Sequence, residues 1–341
     1  GNIRGGLAQG AVLSGVGLST VSGTAVADAA ALASAVGRPL NEAYGRPFAS
    51  AVIAASGNLG PIIPPSTPMI IYATIAGNLV SIADLFLAGI VPGLMIVAMM
   101  LTVIHLLACL RGYPCTGDPF CLRVFFTRLR EAFLVILMPV VVIGGIVIGA
   151  FTPTEGGAIA VTYSVFAGFF ITRQLTLRAL PDVFLRAIVT TAVVGALIAL
   201  ASPITFLFAI SGVPRAIGGF LQLVTTDPTI FLILIFLALL VVGMFVESAT
   251  AYILLVPVLA PIAMTYDIDP LHFAMVFILT IILGMITPPV GVLLFVMSGI
   301  NKISVSAITR HLLPFISIHV VTIMLVILFP AIVTFLPNLM K

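Results

Sequence analysis

Charge is what this chain lacks. Only 7% of its 341 residues are Asp, Glu, Lys or Arg, and 61% are hydrophobic. Roughly a quarter of an ordinary soluble domain is charged, so a soluble globular fold is excluded. The apolar runs extend from end to end and read as one membrane-embedded body. A net charge of +3 is too small and too dispersed for a nucleic-acid surface. Tryptophan is absent, so the usual Trp belt is missing and six Tyr with the Arg and Lys residues must anchor the membrane interfaces. Cysteine is scarce: Cys109, Cys115 and Cys121 flank one polar loop, with neither the His of a zinc site nor the even count of a disulfide framework. They read as reduced thiols. The four His (His105, His272, His311 and His319) are scattered, with no H-E-x-x-H, no phosphate loop ending in Lys-Ser/Thr and no nucleophile–base pair at convincing spacing. The chain therefore does not read as an enzyme. Without a nucleotide site, uphill transport would draw on an ion gradient or on another subunit. Residues 1–10 carry no initiator Met and no targeting signal, and read as the middle of a longer protein.

What is present is hydrophobic length. Apolar runs able to cross ~30 Å of hydrocarbon are clearest at 85–110, 131–150, 156–172, 187–210, 229–246, 268–286 and 312–337. Two hydrophilic loops separate them: 111–130, with Arg111, Arg123, Arg128 and Arg130 against Asp118, and 173–186, with Arg173, Arg178 and Arg186 against Asp182. Two spans lie between the loops, so both fall on one face, which the positive-inside rule makes cytoplasmic.

One motif occurs twice. Gly60-Pro61-Ile62-Ile63-Pro64-Pro65-Ser66 and Gly284-Met285-Ile286-Thr287-Pro288-Pro289-Val290 hold the chain's only two Pro-Pro pairs, 224 positions apart. A Pro pair removes two N–H donors and breaks a helix. In lipid such a break is tolerated only where protein or a water-filled cavity re-satisfies the freed carbonyls. Upstream of each break lies a Gly/Ala/Ser/Thr-rich stretch: 11–36 with Ser22-Gly23-Thr24 in its middle, and 243–263 with Ser248-Ala249-Thr250. Each alone fits a re-entrant hairpin or a single small-residue helix. A shift of 226 lays Gly17, Ser22 and Thr24 on Gly243, Ser248 and Thr250, close to the offset of the Pro pairs. The order of hairpin and broken helix therefore repeats, the pattern of a secondary transporter with its site between repeats.

Carbonyl and hydroxyl oxygens at such breaks suit an alkali cation, and half-helix N-termini suit an anionic substrate. The polar candidates are Ser22, Thr24, Asp28, Ser56, Asn58, Ser66 and Thr67 in the first half, and Glu247, Ser248, Thr250 and Thr287 in the second. Asp28 stands out, because a membrane carboxylate is expensive and faces a cavity, a partner or the interface at a helix end. Glu155, after Thr152-Pro153-Thr154, reads as a capping residue instead.

At this point the sequence resembles a known family. Ser22-Gly23-Thr24-Ala25-Val26-Ala27-Asp28, both Pro-Pro motifs, Leu87-Ala88-Gly89-Ile90-Val91-Pro92-Gly93, Phe151-Thr152-Pro153-Thr154-Glu155 and Gly243-Met244-Phe245 look like the large membrane subunit of tripartite ATP-independent periplasmic (TRAP) transporters. The resemblance implies an all-α, multi-pass protein of the bacterial inner membrane, built as two inverted repeats in an elevator-type fold: 1–110 as the first, lacking a helix pair before Gly1, then the cytoplasmic loop 111–130, then 131–341. It implies Na⁺-coupled uptake of an organic acid, such as a C4-dicarboxylate or sialic acid, with Na⁺ as coupling ion and no cofactor. The implied partners are a small four-helix membrane subunit and a periplasmic solute-binding protein. Carried onto this sequence, substrate contacts fall to Ser22, Thr24, Ser66 and Thr67. Sodium contacts fall to Ser22, Gly23, Asp28, Gly60, Pro64, Ser248, Thr250, Thr287 and Pro288. Glu247 stands where the family often carries an Asp. The rival readings are a stand-alone anion or citrate transporter of related design and, more remotely, a membrane scaffold whose breaks are packing kinks.

Overall fold

A helix that is apolar all round must be enclosed by protein or by lipid, and this chain uses both solutions. The computed structural model describes residues 3–113, 121–173 and 175–340, and among them the chain forms fifteen α-helices and no strand. In order these are α1 (Gly6–Ser22), α2 (Ala25–Tyr44), α3 (Arg46–Gly57), α4 (Thr67–Ala76), α5 (Ile82–Leu110), α6 (Leu122–Val147), α7 (Pro153–Phe166) and α8 (Leu180–Ile210). Then follow α9 (Val213–Val224), α10 (Pro228–Phe245), α11 (Ser248–Met264), α12 (Pro270–Gly284), α13 (Val292–Asn301), α14 (Val305–Leu328) and α15 (Ala331–Leu339).

The centre is made by the helices that lead into the two Pro-Pro breaks. Every residue of α3 from Phe48 to Gly57 is buried, as is every residue of α12 from His272 to Gly284. By contrast, none of the Leu180–Leu200 part of α8 is buried, although its hydropathy is that of a membrane span. Among the described residues, five helical stretches are long and apolar enough to cross a membrane: Ile82–Leu110, Pro153–Ile171, Leu180–Leu200, Pro228–Phe245 and Val305–Leu328.

The same succession of parts occurs twice. Helices α1 and α2 form a hairpin, and α3 and α4 flank the first Pro pair; α10 and α11 form a hairpin, and α12 and α13 flank the second. The second helix of each break packs against the other half, α4 on α11 and α13 on α2. Lipid is as apolar as Leu, so such packing relies on close van der Waals fit and small residues. Within the second half, Gly243 of α10 and Gly284 of α12 allow the same closeness: a Cβ on Gly243 would lie 3.0 Å from the Ile281 carbonyl oxygen.

Four sequence expectations need correction. The second hairpin is not confined to 243–263: its first arm is α10, read from sequence as a plain span over 229–246, and it turns at Val246-Glu247. Glu247 caps α11 at Ser248, and Pro257 and Pro261 sit inside that helix without ending it. The hairpins consequently match at an offset of 223, Thr24 with Glu247 as the two N-caps, rather than 226. The run 268–286 is not a span but α12, the entry to the second break. The run 312–337 is likewise two helices, parted at Phe329-Pro330, where Pro330 supplies no N–H to continue α14. Arg123, Arg128 and Arg130 lie on α6, which starts within the stretch read as loop. Cys115 and Asp118 lie outside the described residues, and Cys109 and Cys121 are free and exposed. Glu155 does what its position implied: its carboxylate accepts from Thr152 N–H at 2.7 Å, and Thr152 Oγ1 accepts from Glu155 N–H at 3.3 Å.

Candidate ion and substrate site

The first hairpin turns on Gly23. It ends α1 in the left-handed conformation (φ 60°) that glycine adopts without strain, and its N–H donates to Ser19 C=O at 3.2 Å. A Cβ here would lie 2.8 Å from the Pro65 carbonyl oxygen. The hairpin tip is thus seated on the Pro-Pro break, and Thr67 N–H donates to Gly23 C=O at 3.3 Å. The second half does the same with different residues, Gly291 N–H donating to Met244 C=O at 3.1 Å. Thr67 and Gly291 occupy the same place after their Pro pairs, so each tip is tied to its own break by one backbone hydrogen bond.

One turn past the first tip, Asp28 is only 1% exposed. Its Oδ1 accepts a short hydrogen bond from Ser22 Oγ. Its Oδ2 is buried without any hydrogen-bond partner and lies against Gly60, where a Cβ would collide with it. An unpaired carboxylate oxygen in such surroundings is costly unless a positive charge meets it or the group takes up a proton. Two more acceptors, on the segment whose Gly57 packs against Ala29, share this state: Ser56 Oγ and Asn58 Oδ1, both fully buried at the start of the break, also lack partners. Carboxylate, hydroxyl and amide oxygens are each hard donors of the kind an alkali cation takes.

The other predicted residues of the first half are placed as follows. Ser22 and Thr24 are half-buried at the tip, and Thr67 is half-buried where the tip meets the break. Ser66 is fully buried and internally engaged: its hydroxyl donates to Pro61 C=O at 2.6 Å and accepts from Met69 N–H at 3.4 Å, closing the turn and capping α4. Gly60 and Pro64 line the break and are buried.

In the second half the side chains of Glu247, Ser248 and Thr287 are already partnered. Glu247 is exposed and accepts from Ala249 N–H at 2.9 Å and Thr250 N–H at 3.3 Å. Ser248 donates to Glu247 Oε1 at 2.8 Å, and Thr287 donates to Leu283 C=O at 2.7 Å. Thr250 and Pro288 are half-buried. The counterpart of Asp28 is Ala251 at the 223 offset, and the next residue, Tyr252, is fully buried with an unpartnered hydroxyl.

Tyr252 and His319 escaped the sequence reading, since a lone Tyr or His in an apolar run carries no local signal. His319 of α14 is 1% exposed and reaches Asn58 across the fold, Nε2 to Nδ2 at 3.5 Å. A cavity of about 610 Å³ opens between Val21, Met138, Ser164, Thr172 and Phe184. It touches the first hairpin at Val21 alone and is lined by none of these tip or break oxygens.

Comparison with known proteins identifies the family. Residues 1–332 match the family described as tripartite ATP-independent periplasmic transporter, DctM component. The chain is 35% identical over 340 residues to the sialic acid TRAP transporter large permease protein SiaM of Vibrio cholerae, covering 99% of this chain and 79% of that one. It is 34% identical to the C4-dicarboxylate TRAP transporter large permease protein DctM of Pseudomonas aeruginosa, again over 99% and 79%. It is also 34% identical to the sialic acid TRAP transporter permease protein SiaT of Haemophilus influenzae, over 100% of this chain and 55% of that longer protein. These relatives are permeases by name. An integral, multi-pass protein of the bacterial inner membrane, the chain belongs to the DctM family of TRAP transporter large permease subunits.

Proposed function

We propose that this subunit carries out Na⁺-coupled uptake of an organic carboxylate, of the sialic acid or C4-dicarboxylate class for which its relatives are named. A periplasmic solute-binding protein hands over the substrate, and a small four-helix membrane subunit completes the permease. The observation that carries the reading is the buried Asp28 carboxylate with one oxygen unpaired, at the contact between the first hairpin tip and the first Pro-Pro break.

In this proposal residues 1–110 and 131–341 act as inverted repeats joined by 111–130, with the basic stretches at 111–130 and 173–186 facing the cytoplasm. Sodium is held by Ser22, Gly23, Asp28, Gly60 and Pro64 in the first half and by Ser248, Thr250, Thr287 and Pro288 in the second. Ser22, Thr24, Ser66 and Thr67 meet the substrate. No Arg lies in either break, so the substrate carboxylate is bound by hydroxyls, N–H groups and Na⁺ itself. The hairpins and breaks then move as a unit against the remaining helices, as in an elevator. Ser66 contributes an oxygen lone pair rather than its committed proton.

The test is uptake into vesicles holding the complete permease, with binding protein outside and radiolabelled sialic acid or succinate as substrate. An inward Na⁺ gradient is expected to drive accumulation, and replacing Na⁺ by K⁺ or choline to abolish it. Undiminished accumulation without Na⁺ would overturn the proposal.

A further inference from the structure

Asn58 presents a chemical choice that its own surroundings in α3 do not make. A side-chain amide offers an oxygen on one side and an NH₂ on the other, and the two occupy nearly the same space. If Asn58 is to offer an oxygen to a cation, something must hold the NH₂ on the opposite side. His319 lies on that side.

The hydrogen bonds of His319 fix which nitrogen does what. Its Nδ1 lies 2.9 Å from the carbonyl oxygen of Phe315, one turn earlier in α14. A carbonyl can only accept, so Nδ1 carries the hydrogen, and Nε2 of the neutral ring presents a lone pair. Asn58 Nδ2 faces that lone pair at 3.5 Å, the long end of the hydrogen-bond range. Turning the amide over would set Oδ1 against the lone pair, a repulsive contact between two acceptors at a site where both residues are fully enclosed. The ring therefore permits one orientation. In it Asn58 Oδ1 has no protein partner, as Ser56 Oγ two residues earlier has none.

We propose that His319 is a positioning residue for cation binding: it holds the Asn58 amide so that Oδ1 stays available to the coupling ion at the first break. This rests on the Na⁺ reading above and deepens it. The ion site lies in the first half, whereas the group that orients its ligand is supplied by α14 of the second, 261 residues away. The His touches the Asn and not the ion.

The experiment uses the complete permease in vesicles, with the Na⁺ concentration giving half-maximal uptake and the rate at saturating Na⁺ measured separately. His319→Leu keeps bulk and removes the acceptor; it is expected to raise the half-saturating Na⁺ about tenfold while leaving the saturated rate within about twofold. His319→Gln, whose side-chain oxygen can accept from Asn58 Nδ2, is expected to hold half-saturation within about threefold of the parent. A folded Leu variant with unchanged half-saturation, or one that loses only the saturated rate, overturns the proposal. So does a folded Gln variant that loses Na⁺ affinity as far as predicted for Leu, which decides the matter even if the Leu variant does not fold. Wild-type uptake indifferent to Na⁺ would overturn the coupling itself, and it is seen before any variant is made.

Discussion

The two hairpin-and-break units share a plan and differ in what they leave unfinished. Each tip is tied to its break by a backbone hydrogen bond, Thr67 to Gly23 in one and Gly291 to Met244 in the other. Around the first tip, however, Asp28, Ser56 and Asn58 each keep a buried oxygen without a partner, whereas Glu247, Ser248 and Thr287 around the second all have partners. Both units bring a carboxylate to the tip, but Asp28 is enclosed one turn inside α2, while Glu247 is exposed at the cap of α11. A cap carboxylate is stabilised by backbone N–H groups and needs no cation. An enclosed one such as Asp28 has a hydroxyl donor on Oδ1 and none on Oδ2. The two units thus share an order of helices, while the buried carboxylate oxygen without a partner lies in the first.

The largest effect that follows is an unequal response to neutralising the two carboxylates. Asp28→Asn is expected to raise the half-saturating Na⁺ by about 100-fold or more, because it removes the only full negative charge at the first break. Glu247→Gln is expected to change it less than about threefold while lowering thermal stability by ~1 kcal/mol through the weakened cap. Uptake titrated against Na⁺ for both variants reads the difference directly, and equal losses would break the comparison.

Glycine-to-alanine changes sharpen it at intermediate size. On Gly60 a Cβ would strike Asp28 Oδ2 and come within 3.1 Å of the Thr24 carbonyl oxygen, so Gly60→Ala is expected to displace the carboxylate and weaken Na⁺ dependence. On Gly284 the Cβ would strike only the backbone of Gly243, so Gly284→Ala should act on packing, costing about 1–3 kcal/mol of stability before it touches ion affinity. Thermal melts with and without Na⁺ separate the two: the Na⁺-induced shift disappears for Gly60→Ala and survives for Gly284→Ala. A shift lost in both would mean that the breaks are coupled more tightly than their hydrogen bonds imply.

The smallest effect lies outside both units. Thr152→Ala removes one side of the capping box of α7, for an expected loss of ~1 kcal/mol with unchanged Na⁺ dependence. Chemical or thermal unfolding checks the first part and uptake the second.

Much of this was legible in the chain itself. The Pro pairs announced both breaks because a missing N–H is a property of the residue wherever it sits. Glu155 announced its cap because Thr-x-x-Glu is a local arrangement. The first tip was found at Gly23, where a left-handed residue was needed. The second tip was displaced in the reading because Ser248-Ala249-Thr250 resembles Ser22-Gly23-Thr24 in composition, yet the N-cap of Glu247 sets the turn earlier, at Val246-Glu247. Ser66 was assigned to substrate because hydroxyls at breaks suit that role; its proton proves to be spent on Pro61, a contact five residues back that the motif conceals.

By itself, then, the sequence determined that this protein lives in a membrane, that it breaks two helices there, and to which family it belongs. Those are consequences of composition, of proline chemistry and of short motifs, all of which act locally. Only the tertiary structure decided which oxygens remain unpaired and what orients them. Asp28 against Gly60 and Asn58 against His319 are pairings across turns and between halves. Whether a buried acceptor is satisfied depends on every group packed around it, and no stretch of the chain carries that information alone.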